Sequence, residues 1–398
     1  MDKNNGAIYD ARKLGKPKMI ILGVQHMFAM FGATILVPIL TGLDISTTLL
    51  MAGLGTLLFH CITKFKVPAF LGSSFAFLGG YAAIKAFSPN DPNSMLPYAC
   101  LGVACAGLIY FILAAVIKAV GIEKVMRFFP PVVTGPIIIA IGLGLAPSAV
   151  SNCTTNWFLA VVALAVIVVF NIWGKGMAKI IPIILGLLIS YGTGLVLYFI
   201  SQANPDLIQN VPWLFAGGAD ANGVYQPIFD FTSLNTICDN ISKGHIFGSE
   251  GLIGIPIHWD KTVFGGIDYS NGALIASSII AIVPIAFATM MEHIGDICAI
   301  SSTTGNNYIK DPGLHRTLVG DGLATTLASL FGGPANTTYG ENTGVLALTR
   351  VYDPRVIRIA AYFAVAVSFF PIVSVIIGSI PSCIIGGISF VLYGMISA

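Results

Sequence analysis

Apolar runs of about twenty residues recur along the whole chain, and that repetition limits its fold more than any single motif does. A helix of that length crosses a hydrocarbon core about 30 Å thick, and in lipid only helices and closed barrels keep every backbone polar group satisfied. Of the 398 residues, 56% are hydrophobic and 10% charged, with a mean hydropathy of +0.85. Such a balance excludes a soluble globular protein and leaves an all-α polytopic membrane protein. The net charge of +2 says little about partners, because its arrangement matters more than its sum. Nothing points to nucleic acid. Met1–Lys18 is polar and basic, without a hydrophobic segment or small-residue cleavage site, so no cleaved signal peptide is expected and the first span inserts the chain.

Hydropathy and helix breakers place spans near 19–41, 46–63, 69–86, 96–118, 131–150, 157–173, 179–200, 272–296, 316–332, 335–351, 356–379 and 382–397. Basic residues orient them. Arg12, Lys13, Lys16, Lys18, Lys64, Lys66, Lys118, Lys124, Arg127, Lys175, Lys179, Lys310, Arg316, Arg350, Arg355 and Arg358 fall on one side, and only Lys85, Lys243 and Lys261 on the other. By the positive-inside rule the N-terminus is cytoplasmic, in a plasma or inner membrane. The polar stretch 201–271 carries Asp206, Asp220, Asp230, Asp239, Glu250, Asp260 and Asp268, and reads as an external loop of turns and short strands, first of all a connector between two halves. The seven cysteines show no CxxC spacing, which argues against a metal cage and suits small apolar packers; a Cys153–Cys238 bridge stays open.

Two spans read as broken. Val67-Pro68-Ala69-Phe70-Leu71-Gly72-Ser73-Ser74-Phe75 and Gly332-Gly333-Pro334-Ala335-Asn336-Thr337-Thr338-Tyr339-Gly340-Glu341 put Gly, Pro, Ser, Thr and aromatics where a helix should start. Each is expected to enter the membrane extended and turn helical near its middle, which is tolerated only where backbone is buried in protein or lines a cavity. A matched pair of such segments points to a transporter binding site between inverted repeats. Charge within a span costs roughly 2.5–3.5 kcal/mol, so Glu292, Asp296 and Glu341 call for a functional reason. Glu292 and Asp296, four residues apart, share one helix face, with His293 about a quarter turn away. Two acids so close disfavour joint ionisation, which suits a proton carrier. Against that stands the lesser reading of each acid as a structural hydrogen bond between helices; His26 and His60, taken alone, read more readily as satisfied packing residues, and Phe75 and Tyr339 can be core aromatics. Asp321, near the expected start of its span, reads as a cap or solvated end.

The run Glu341-Asn342-Thr343-Gly344-Val345-Leu346-Ala347-Leu348-Thr349-Arg350 resembles the signature of the nucleobase-ascorbate transporter family (nucleobase:cation symporter-2). Asn336-Thr337-Thr338-Tyr339-Gly340, Asp311-Pro312-Gly313-Leu314-His315-Arg316 and Gln25-His26-Met27-Phe28-Ala29-Met30-Phe31-Gly32-Ala33-Thr34 resemble its uracil permease branch. The likeness runs from the first span to the last residue, the external loop excepted. It implies a seven-plus-seven inverted repeat with a core domain (1–130 and 272–379) and a gate domain (131–200 and 380–398), joined by the loop 201–271. It also implies fourteen spans, of which this sequence carries about twelve, so the gate's second half is expected to be incomplete and autonomous transport is an open question. By the same resemblance Glu292 and Glu341 would hydrogen-bond the base, amides at Phe75 and Gly340 would meet its carbonyls, and Phe75 and Tyr339 would pack near the ring. Ser389 and Tyr393 would face it from the gate. Proton coupling would rest on Glu292, Asp296 and Glu341, with His26 in support.

The resemblance implies proton-coupled import of a nucleobase by alternating access, without cofactor or metal, and leaves a homodimer open. Asp296 stands where uracil permeases often carry His, as in purine-transporting relatives, whereas Glu rather than Gln at 341 favours uracil. Uracil comes first and xanthine second. A truncated, non-transporting membrane protein that binds nucleobase is the alternative of another class. An enzyme is a distant third, because no HExxH, nucleophile elbow or phosphate loop occurs.

Overall fold

The computed structural model describes residues 7–121, 123–124, 131–220 and 222–397; Arg127 and the side chain of Glu341 lie outside the described residues. In chain order the main elements are α1 (Lys16–Thr41), α2 (Ile45–Ile62), β1 (Leu71–Ser73), α3 (Leu78–Lys85), α4 (Leu96–Val120), α5 (Pro131–Cys153), α6 (Trp157–Trp173) and α7 (Pro182–Ala203). There follow β2 (Ala216–Ala219), β3 (Tyr225–Pro227), α8 (Thr232–Ser242), α9 (Gly272–Ile282), α10 (Ala286–Thr304), α11 (Leu314–Leu330), β4 (Asn336–Thr338), α12 (Gly340–Thr349), α13 (Pro354–Ser368), α14 (Pro371–Gly378) and α15 (Ser382–Ser397).

Local chemistry marks the ends of these helices. Asp44 caps α2 by accepting from the Thr47 N–H at 2.9 Å, and Asn156 caps α6 through the Leu159 N–H at 3.0 Å. Gly42 closes α1 in the left-handed region at φ 84°, its N–H bonded to the Pro38 carbonyl at 2.8 Å. By length and apolarity five described helical stretches can cross a membrane, or six if α13 and α14 count as one bent span; the expected twelve are not reached on that criterion. One reason is that the third and tenth runs each resolve into a three-residue strand and a short helix. Another is that the run near 356–379 divides before Pro371, which opens a helix but cannot donate within one.

The chain divides into two compact units, Met1–Ile137 with Ile255–Phe370, and Ile138–Gly254 with Pro371–Ala398. The polar stretch 201–271 is shared between them at Gly254. In the first unit α11 packs on α4 and α2, α13 on α1 and α2, and α9 on α4. Gly107 and Gly322 let α4 and α11 meet backbone to backbone: a Cβ on either would stand 2.7 or 2.6 Å from the other's carbonyl oxygen. Small residues at such crossings supply the close packing that apolar helices need in lipid. Ahead of α1 a strap runs beside the loop after α12, with the Ile8 N–H on the Arg350 carbonyl and the Tyr352 N–H on the Ile8 carbonyl, both at 2.8 Å. The Ala11 N–H meets Asp353 Oδ2 at 2.7 Å, while Asp353 Oδ1 caps α13.

The second unit takes most of α5, with α6, α7, α8, α14, α15 and the β2–β3 hairpin; α6 packs on α7 and α15. Asn156 ties the hairpin to α6, its Nδ2 donating to the Ala216 carbonyl at 2.9 Å. Cys153 and Cys238 are both free thiols, so the bridge left open by the sequence is not formed.

Candidate functional site

Within the first unit, β1 and β4 pair antiparallel, with Leu71 opposite Thr338, Gly72 opposite Thr337 and Ser73 opposite Asn336. The ladder extends at both ends, from the Tyr339 N–H to the Phe70 carbonyl (3.1 Å) and from the Ser74 N–H to the Ala335 carbonyl (2.9 Å). Each strand leads into a short helix, α3 after β1 and α12 after β4, so two helix starts, where the first amides lack carbonyl partners in the regular helix ladder, follow a single strand pair. Gly72 is the residue that permits this closeness: a Cβ there would stand 2.5 Å from the Tyr339 ring.

Tyr339 is buried, and its hydroxyl donates to the Ser73 carbonyl at 2.8 Å and accepts from Thr34 Oγ1 at 3.4 Å. Its polar end is committed to the strand pair. Asp296, half-buried on α10, accepts from Thr338 Oγ1 at 2.6 Å, which joins α10 to β4. Gly340 follows directly, and a Cβ on it would lie 3.9 Å from Asp296 Oδ1. Glu292, one turn before Asp296, lies on the exposed side of α10, as Gly340 does on α12. Phe75 is half-buried against the core that surrounds β1. Of Glu341, only the backbone in the first turn of α12 is described.

Two buried links were not foreseen. Asp321 lies inside α11 with no exposed surface, its Oδ2 3.2 Å from Nδ1 of the equally buried His293. That corrects its reading as a cap or solvated end: α11 begins at Leu314, and His293 from α10 covers the carboxyl. His293 Nδ1 also stands 3.5 Å from Thr338 Oγ1, so Asp321, His293, Thr338 and Asp296 form one connected group. On the other side His26 of α1 is buried beside Asn342 of α12, whose Nδ2 lies 3.3 Å from both the His26 Nδ1 and carbonyl oxygen. Ser74 Oγ, Thr337 Oγ1, Asn342 Oδ1, Thr343 Oγ1 and His26 Nε2 are buried without a hydrogen-bond partner. Buried polar atoms are nearly always paired, so the gathering of the last four around β4 and the start of α12 is what a polar ligand would satisfy. Ser389 and Tyr393 are buried on α15 of the second unit. Among the described residues no group of three or more His, Cys, Asp or Glu could hold a metal ion.

The family profile described as "Permease family" (Xan_ur_permease) matches residues 17–398. The chain belongs to this family. The resemblance read from the Glu341–Arg350 run therefore holds over nearly the whole chain, and the protein is a membrane permease rather than an enzyme. The chain is 37% identical to the uracil permease of Bacillus caldolyticus over 390 residues, covering 95% of this chain and 78% of that relative. The uracil permease of Bacillus subtilis (strain 168) is 37% identical over 392 residues, again 95% and 78%. The uracil permease of Escherichia coli (strain K12) is 32% identical, with 95% and 77% covered. Among solved structures, the transmembrane domain of the cyanobacterial bicarbonate transporter BicA superposes with a TM-score of 0.62 at 14% identity, covering 98% of this chain and 90% of that one. At that identity the permease shares a fold with BicA, and the likeness carries no statement about substrate.

Proposed function

We propose that this permease is a secondary active transporter that imports uracil together with protons by alternating access. The observation that carries the reading is the β1–β4 pair: two helix starts, unpartnered buried polar atoms around β4 and the start of α12, and Asp296 bonded to Thr338, in a chain 37% identical to uracil permeases. Uracil is a flat ring of alternating N–H donors and C=O acceptors, which carboxyls and free amides can match atom for atom. In this reading Glu292 and Glu341 bind the ring N–H groups, and the amides at Phe75 and Gly340 bind its carbonyls. Phe75 and Tyr339 supply apolar surface. Glu292, Asp296 and Glu341 carry the coupled proton, with His26 in support through Asn342.

The first unit is then the core domain of a seven-plus-seven inverted repeat, and the second, which carries Ser389 and Tyr393, is the gate. The N-terminus is cytoplasmic. Uptake of labelled uracil into cells lacking their own permease, with and without a protonophore, tests this directly. Accumulation that collapses with the proton gradient is expected. Uptake indifferent to the gradient removes the coupling, and binding without uptake leaves a nucleobase-binding membrane protein. Competition by uracil, thymine, xanthine, hypoxanthine and urate is expected to be strongest for uracil.

A further inference from the structure

The two strands that build the site are each three residues long and, among the described residues, pair only with one another. A two-stranded ribbon is marginal by itself, and an outer edge buried among apolar helices leaves backbone groups that cost several kcal/mol if unmet. The outer edges are met by side chains of α2 and α11. Thr56, fully buried on α2, accepts from the Leu71 N–H at 2.9 Å, while its own hydrogen lies between the carbonyls of Ala52 (2.8 Å) and Leu71 (3.2 Å). One turn on, His60 Nε2 meets the Ala69 carbonyl at 2.9 Å. On α11 the buried Thr325 donates to the Asn336 carbonyl at 2.5 Å, and Asn336 Nδ2 crosses to the Met51 carbonyl of α2 at 2.9 Å. The residues just before the two threonines, Gly55 and Ala324, face one another, so closely that a Cβ on Gly55 would lie 3.2 Å from that of Ala324. The same device thus serves the start of each strand from adjoining helices.

We propose that Thr56 and Thr325 are positioning residues: a pair of buried hydroxyls that pins β1 and β4 and thereby sets where the Phe75 and Gly340 amides and Asp296 stand around the substrate. The proposal rests on the uracil reading above. Phe75 and Gly340 lie two residues beyond the ends of their strands, with little chain to absorb a displacement. A slip of one residue moves a strand by about 3.3 Å and turns its side chains to the opposite face. For β4 that slip would carry Thr338 away from Asp296 and Gly340 away from its present place. Neither threonine touches the ligand in this scheme; each acts through the strand it holds.

The test is uracil uptake by the full chain in cells lacking their own permease, with membrane abundance measured alongside. Thr56→Val and Thr325→Val keep the side-chain shape and remove the hydroxyl, and each is expected to raise the uracil KM about tenfold. Thr56→Ser and Thr325→Ser keep the hydroxyl and should stay within about twofold of wild type on the same scale. A role in folding alone would lower abundance and Vmax and leave KM unmoved, and that result overturns the proposal. Serine variants as impaired as the valine variants overturn it too, because shape rather than the hydroxyl would then matter. Should Thr56→Val fail to reach the membrane, Thr325→Val decides by the same KM criterion, since Thr325 only donates to a carbonyl and its loss leaves the Leu71 N–H bonded to Thr56. If the wild-type chain carries another base and not uracil, the substrate reading fails instead, and the KM comparison passes to that base.

Discussion

The junction after β1 and the junction after β4 share one strand pair and are furnished differently. After β1 come Ser74, Phe75, Ala76 and Phe77: aromatic surface, amides and one unpartnered hydroxyl. After β4 come Tyr339, Gly340, Glu341, Asn342 and Thr343, beside Asp296, the His293–Asp321 pair and His26. His60 reaches only the chain ahead of β1, at the Ala69 carbonyl, whereas His26, His293 and Asp321 gather on the β4 side. The β1 side supplies shape and the β4 side supplies chemistry, and antiparallel pairing holds the two in register. Substitutions that remove polar function should therefore be severe after β4 and mild after β1, whereas steric change should be felt from either strand.

The strongest test of that division is Asp321→Ala. It leaves His293 buried without the carboxyl that covers it, an unmet polar group that costs about 1–3 kcal/mol on top of the cavity left by the deleted side chain. Uptake per molecule in the membrane is expected to fall to background, with thermal stability reduced as well; near-normal uptake would mean that the connected group behind Thr338 serves neither folding nor transport. Next in size is a steric change on the β1 side. In Gly72→Ala the new methyl meets the Tyr339 ring, which packing and its bond to Ser73 hold in place. Overpacking of that kind costs about 1–3 kcal/mol. A lower melting temperature and weaker uptake are expected, against no change for Gly79→Ala, where a Cβ meets nothing within 4 Å.

A sharper contrast comes from two deletions of a hydroxyl. Thr338→Val removes the donor that Asp296 accepts from at 2.6 Å, worth about 1–3 kcal/mol, and should raise the uracil KM about tenfold. Ser74→Ala, on the other strand's exit, is expected to leave KM within about twofold of wild type, because there the amides and not the side chain are in use. Equal losses from the two variants would erase the distinction between a side that shapes and a side that reacts.

Much of this was legible in the residues themselves. Clusters of Gly, Pro, Ser and Thr inside apolar runs announced both broken spans, and the four-residue spacing of Glu292 and Asp296 put them on one face of α10. The strand pairing was not legible, because the hydroxyl of Tyr339 meets a carbonyl 266 residues away and no local pattern encodes that partner. Asp321 was misread for a related reason. Hydropathy places a charge by its distance from the edge of an apolar run, and cannot register that His293 from another helix covers it. Thr56 and Thr325 carry no local mark either; a hydroxyl in an apolar helix usually turns back on its own carbonyls, and only the packed neighbours show it reaching a strand.

The smallest expected effect reaches the β4 side from its far end. The strap ahead of α1 is tied to the loop that closes α12, and Asp10 within it bonds Arg12 and, at 2.9 Å, Arg355. Its carboxyl is held well below the usual carboxylate range, chiefly by the Arg12 side chain. A depressed carboxylate contributes stability that is present above its ordinary pKa and is lost only as pH falls through the lowered value. Between about pH 7 and about pH 5 the strap should therefore stay docked, with protection of the Ile8 and Ala11 amides from hydrogen exchange unchanged after correction for intrinsic rates. Asp10→Asn should loosen it slightly and leave uptake near wild type, since the pair is exposed and its ions are largely screened. Loss of protection already at about pH 5 would show that Asp10 does not secure the strap, and would leave that task to the contact between the Ala11 N–H and Asp353 at the start of α13.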